Sequence, residues 1–389
     1  MHTRAQSKQL LWALATTVAL LGCGGEEGAG SAPASETGIA ESPLRRPHTP
    51  TLTPQQSGTL NRLQAVSPVS DKVVWASGTG GTFVRTTDGG KTWKVGVVPG
   101  AETLEFRDVE GISEKVAYLM SAGPGESSRI YKTVDGGKSW VLQFLNQNPA
   151  AFYDCFAFWT PRRGLTMSDA VDGRFPVIRT TDGNTWQDIG DNLPPALPGE
   201  AAFAASGTCV AVHGDRYAWI ATGGAAQARI LATTDGGQTW NAYPTPTVQG
   251  TPASGVFTVA FRDARHGILG AGDLEAPDAF ADTMARSRDG GRTWRLVSRP
   301  TFPGAVFGLA YALERDEDHH GGYGKRGAHG SEQLPPVVIT GPGGAAWSLD
   351  EGDTWTALPG VANYWAVAFA DERTGWLVGI QGRILKIRF

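Results

Sequence analysis

One short string recurs six times along the 389-residue chain and constrains its fold more than any other feature. It has the form Ser/Thr-x-Asp-x-Gly-x-Ser/Thr-Trp. The first copy is Thr86-Thr87-Asp88-Gly89-Gly90-Lys91-Thr92-Trp93. The others centre on Asp135 and Trp140, Asp182 and Trp186, Asp235 and Trp240, Asp289 and Trp294, and Asp350 and Trp355. The Asp182 copy is one residue short. Successive tryptophans are 46 to 61 residues apart. A fixed period of that size marks stacked supersecondary units, not independent domains. The string is built for a hairpin turn. The Asp carboxylate accepts backbone N–H groups within the turn. The following Gly supplies a positive φ. The Trp opens the next strand and covers the seam between neighbouring sheets. This turn chemistry accounts for each Asp, so none is assigned a catalytic role.

Each segment between the turns holds an apolar strand, a polar turn and then a second short apolar strand. Ala366-Val367-Ala368-Phe369 turns at residues 371–375 into Trp376-Leu377-Val378-Gly379. Val259-Ala260-Phe261 and Cys155-Phe156-Ala157-Phe158 lead into similar pairs. Each unit thus holds three strands before the Asp turn and one after it. A four-stranded antiparallel sheet repeated at this period is a propeller blade. The 52 glycines and 13 tryptophans fit short strands joined by tight turns. First strands are expected near Leu63, Leu104, Phe152, Ala202, Val256, Val306 and Trp365. The seventh unit ends on its third strand, residues 382–389. Its outer strand is expected from the segment Thr51 to Leu60, which removes the exposed edges of the ring. The expectation is an all-β, seven-bladed propeller over residues 53–389. A six-bladed ring is the alternative if the last unit pairs differently.

The N-terminus reads as a targeting segment. Arg4 and Lys8 precede an apolar run, Leu10 to Leu21, of signal-peptide length. The run ends in Leu20-Leu21-Gly22-Cys23, a lipobox, where a bacterial signal peptidase would cut and leave Cys23 lipidated. Residues 1–22 are then a signal peptide. Residues 23–52, rich in Gly, Ala, Ser, Glu and Pro, are a flexible tether. Acyl chains on Cys23 would hold the protein in the bacterial cell envelope, on the outer membrane or periplasmic face. Two cysteines remain, Cys155 and Cys209. A disulfide and two small buried thiols both fit them.

The six turns and their Gly-x-Ile/Phe-x-x-Thr-x-Asp-Gly-Gly lead-in resemble the Asp-box, or BNR, propellers of the photosystem II stability/assembly-factor type. Trp75-Ala76-Ser77-Gly78-Thr79, Phe106-Arg107-Asp108-Val109-Glu110 and Asp172-Gly173-Arg174-Phe175 resemble bacterial members of that group. The resemblance implies a non-catalytic propeller that binds partner proteins. Asp-box propellers also include sialidases. Their Arg-Ile-Pro element does not precede Thr86, and Phe175-Pro176-Val177-Ile178-Arg179 is a different string.

Propeller sites gather at one mouth of the central channel, on loops and the starts of the innermost strands. Glu105, Arg107, Tyr153, Asp172, Arg174, Tyr364 and Trp365 are the binding candidates there. Asp154, Asp169 and Glu200 are the candidates for acid/base hydrolysis, which needs two carboxylates across a cleft. This mixture suits a protein segment or a glycan. The leading expectation is a membrane-tethered binding module that assists assembly or stability of an envelope complex. The alternative is a glycoside hydrolase acting on envelope or external polysaccharide. No cofactor motif appears, since no Gly-x-Gly-x-x-Gly opens a helix after a strand. Net charge is −4, without the basic footprint of a nucleic-acid binder. The membrane is met only through the lipid, and a monomer is expected. A polar insertion, Glu314 to Pro336, carries Asp316, Asp318, His319, His320 and His329 at Gly-broken spacing. No metal is assigned to it.

Overall fold

The computed structural model describes residues 49–313 and 334–389, with the backbone alone of 315–316 and 319–323. The lipobox, Cys23 and nearly all of the tether lie outside the described residues. So do the side chains of the insertion that carries Asp316, Asp318, His319, His320 and His329.

The fold is a seven-bladed β-propeller of four-stranded antiparallel blades. The innermost strands are Leu63–Pro68, Phe106–Gly111, Tyr153–Thr160, Val210–His213, Ser254–Phe261, Gly308–Tyr311 and Tyr364–Phe369. Blades one to six each run outward in chain order. Blade seven takes its outermost strand from Thr51–Gln56, which pairs with Arg383–Arg388. That strand begins two residues ahead of the boundary read from the sequence.

Blade four departs from the expected pattern. Its inner strand starts at Val210, not near Ala202. Residues 202–208 turn away from their own sheet and bond to other blades. The Ser206 hydroxyl donates to the Phe307 carbonyl at 2.6 Å, and the Thr208 carbonyl accepts from the Val259 N–H at 3.0 Å. Gly207, with φ +76°, permits this path, and a Cβ there would lie 2.4 Å from an Asp108 oxygen. In blade six the insertion includes a small hairpin, Arg315–Asp316 against His319–Tyr323.

The core lies in the seams between blades. Trp140 packs edge-on against Phe83 and Trp75 of the preceding blade, with ring centres 5.1 and 6.2 Å away. Polar links cross the same seams. Trp75 Nε1 donates to the Ser113 carbonyl at 2.9 Å, Trp159 Nε1 to Tyr217 at 2.7 Å and Trp219 Nε1 to Gly290 at 2.9 Å. Each joins one blade to the next. Cys155 and Cys209 form a disulfide between blades three and four. The sequence left this pair open. In the fold their Cα atoms are 5.9 Å apart, within bridging range.

The six Asp turns behave as hairpin staples. In the second, Asp135 Oδ1 accepts the Lys138 and Ser139 N–H groups at 2.9 and 3.0 Å, and Oδ2 accepts the Ser139 hydroxyl at 2.6 Å. All six carboxyls are held below their ordinary pKa, Asp135 and Asp235 at about 2. At Asp88 and Asp135 a Thr92 or Ser139 hydroxyl contributes most, and at Asp182 the Thr185 N–H does. At Asp235, Asp289 and Asp350 burial pushes upward, but the hydrogen bonds outweigh it. Lowered folded-state values mean that these groups stabilise the fold above pH about 4, the unfolded carboxyl range. That contribution is lost as pH falls through about 2. The thermal midpoint should therefore drop steeply between pH 4 and pH 2. A flat midpoint across that range would show that the turns carry no ionic stabilisation.

Candidate functional site

A β-bulge places one extra residue on one strand and re-aims its side chain. Five innermost strands carry such a bulge near their start, at Gln64, Arg107, Asp154, Phe257 and Trp365. Phe203 and Phe307 precede the regular inner strands of blades four and six and line the same cavity. One residue per blade thus faces one mouth of the channel. The cavity is about 330 Å³ and is also lined by Arg62, Phe152 and Asp169.

The ring divides by chemistry. Blades four to seven contribute an aromatic arc. Phe203 stacks on Phe257 at 4.1 Å, Phe257 lies 5.5 Å from Phe307, and Phe307 lies 5.7 Å from Trp365. Arg62 closes the arc, its guanidinium 5.6 Å from the Trp365 ring centre. Blades one to three contribute the polar arc. Glu105 accepts from Arg107 Nε and Nη2 at 3.0 and 2.7 Å, and from Arg62 Nη2 at 3.4 Å. Arg107 also reaches the Ala204 carbonyl at 3.4 Å.

Asp154 and Asp169 line the cavity together beside these arginines. Asp154 is 1% exposed. Burial, and then the neighbouring Asp169, pushes it well above the usual carboxylate range. Burial also pushes Asp169 up, to about 6, against the Ala202 N–H that it accepts at 2.9 Å. Two neighbouring carboxyls resist ionising together, so each disfavours loss of the other's proton.

The remaining candidates lie apart from this cavity. Glu200 is buried and paired with Arg229, whose Nε donates to Oε1 at 2.9 Å. The Thr222 hydroxyl and the Leu197 N–H complete its partners at 2.6 and 2.8 Å. Tyr153 packs its ring 5.2 Å from Phe144, and burial raises its hydroxyl pKa. Arg174 is taken up by Asp188 and Asp191 at 2.7 and 2.6 Å. Asp172 is exposed in a tight turn at φ 52°. Tyr364 borders a separate groove between the closing strand and Arg383. Of the residues singled out in the sequence, the cavity brings together Arg107, Asp154, Asp169 and Trp365, and it adds Gln64, Phe203, Phe257 and Phe307. Comparing one register position across all seven units would have found them. That position follows the first apolar residue of each inner strand.

Two-carboxylate glycoside hydrolysis needs separations of about 5 Å or more. Such a pair would have to be drawn from Asp154 and Asp169, since the Glu200 charge is met by Arg229. The mouth brings together an apolar shelf, two guanidinium groups and an acid pair. Deeper in the channel Asp108 joins blades two and three by accepting the Phe156 N–H at 2.8 Å. Among the described residues no group of His, Cys, Asp and Glu side chains is placed to hold a metal ion.

No protein-family model matches the chain, and no curated protein matches it. Solved structures do. YCF48 bound to D1 peptide is similar over 88% of this chain and 98% of that one, at TM-score 0.60 and 17% identity. YCF48 from Cyanidioschyzon merolae is similar over 87% and 98%, at 0.59 and 15%. A catalytically inactive virginiamycin B lyase from Staphylococcus aureus, solved with quinupristin, is similar over 88% and 100%, at 0.59 and 13%. At these identities the likeness is one of fold: all three share the propeller architecture of this chain.

Proposed function

We propose that this protein is a membrane-tethered binding module whose mouth receives a segment of a partner protein and so assists assembly or stability of an envelope complex. The observation that carries the reading is the divided ring of re-aimed side chains. An aromatic shelf beside a few convergent polar groups is the composition of a binding pocket. Fully and partly buried aromatics with arginine at the centre also match the anchors of protein interfaces. The likeness to YCF48, seen with a D1 peptide, supports a peptide as occupant. The tether rests on the lipobox at Cys23.

The test has two arms. Cys23→Ser should move the protein from the membrane to the soluble fraction, and unchanged fractionation sinks the tether. In the second arm, partners are captured from membranes with the wild type and with Arg107→Glu/Trp365→Ala. The variant should lose its partner at least about tenfold, the scale of one or two interface anchors. A partner held equally by both proteins removes the mouth from the reading. Capture of glycans instead of protein would favour a polysaccharide ligand.

A further inference from the structure

The mouth's charges are unequally spent. Both guanidinium groups, Arg62 and Arg107, are bonded to Glu105. The Asp154–Asp169 pair receives no hydrogen bond from either arginine, and Asp154 Oδ2 is buried with no donor among the described residues. Both aspartates line the cavity on blade three, next in blade order to Phe203, where the aromatic arc begins. Two guanidinium groups therefore face three carboxyls. One of the three carboxyls is thus left without a cationic partner, and it sits at the polar edge of an apolar shelf.

We propose that the mouth's occupant presents a cation, a primary ammonium or guanidinium, beside a flat apolar group. The cation seats on Asp154 and Asp169, and the apolar group on Phe203, Phe257, Phe307 and Trp365. This rests on the binding reading above and names the chemistry that reading leaves open. The occupant is a protein segment with a Lys or Arg next to an aromatic residue. In the empty mouth the acid pair retains one proton. The incoming cation replaces that proton, which leaves to solvent. Binding therefore strengthens with pH while the empty pair still holds its proton, and levels off above. The other charged groups that face the pair are Arg107, Arg62 and Glu105, which bonds to both.

Small probes test this on the whole protein. Binding of 2-phenylethylammonium and of 3-phenylpropionate is measured by ligand-observed NMR and calorimetry. The ammonium should bind at least about tenfold more tightly than the carboxylate. Below pH 6 its affinity should rise by up to about tenfold per pH unit, the limit for release of one proton. Its heat of binding should differ between phosphate and Tris in proportion to that proton. Asp154→Asn resembles the protonated acid in shape, keeps the fold, and should abolish both the preference and the proton release. Trp365→Ala should weaken both probes. Tighter binding of the carboxylate, or ammonium binding untouched by Asp154→Asn, overturns the proposal. So does failure of both probes to bind. Partner capture by the mouth can succeed in all those cases, so the two readings fail separately.

Discussion

A chain that lacks the residues before Gly58 is expected to lose ring closure and most of its resistance to denaturant. Thr51–Gln56 supplies the fourth strand of blade seven in six registered pairs with Arg383–Arg388. At about 1 kcal/mol for each backbone hydrogen bond, removing it costs on the order of 5 kcal/mol. That is a large share of a typical folding free energy. Gln55 adds a second link. Its Oε1 accepts from Trp93 Nε1 at 3.2 Å and from Trp376 Nε1 at 3.1 Å, and its Nε2 donates to the Gly89 carbonyl at 3.1 Å. One side chain thus joins blade one to blade seven. Gly90, at φ +84°, leaves room for it, since a Cβ there would sit 2.0 Å from the Gln55 amide. The truncated chain should also self-associate, because Arg383–Arg388 becomes a free edge. Gln55→Ala is the milder variant, leaving two indole N–H groups without an acceptor at about 2 kcal/mol. Denaturant midpoints and size-exclusion profiles measure both effects. An unchanged midpoint in the truncated chain would mean that another contact holds the ring shut.

Glu200→Ala should destabilise the fold by about 3–5 kcal/mol, the cost of stranding a buried charge. The carboxylate is fully buried and Arg229 is 10% exposed, so water screens the pair little. Removing Glu200 also leaves the Leu197 N–H and the Thr222 hydroxyl without their acceptor. The double variant Glu200→Leu/Arg229→Met should recover most of the loss, because apolar residues of similar volume replace such pairs at little cost. A hydrolase acid would behave differently: its loss would remove turnover and leave the denaturation midpoint in place. If Glu200→Ala unfolds at the wild-type midpoint, the pair is not a structural tie.

The architecture was legible because it repeats. Six Asp turns gave the period, and the strand count gave the seventh blade and its outer strand from Thr51 onward. Local chemistry sufficed for each, since a turn's donors and acceptors lie within a few residues. The mouth was less legible because its geometry is not local. The bulges that aim Gln64, Phe257 and Trp365 depend on how each inner strand registers with its neighbour. Glu200 read as a mouth acid because Arg229 meets it only once two segments of the chain converge. The Cys155–Cys209 bond likewise needed the seam between two blades. Blade four's late inner strand had no sequence signal, because residues 202–208 take their partners from blades two, three, five and six.

The closing strand also sets an order of events. Gln55 and Trp376 meet across 321 residues of chain. That contact cannot form until the strand Arg383–Arg388 has left the ribosome, whereas each blade from one to six can form its hairpins as it emerges. The early strand must therefore wait, unpaired, through most of synthesis. Such long-range pairing is slow to find, and unpaired edges are open to wrong partners meanwhile. The polar character of Thr51-Leu52-Thr53-Pro54-Gln55-Gln56, with a proline at its centre, makes it a poor template for aggregation while it waits.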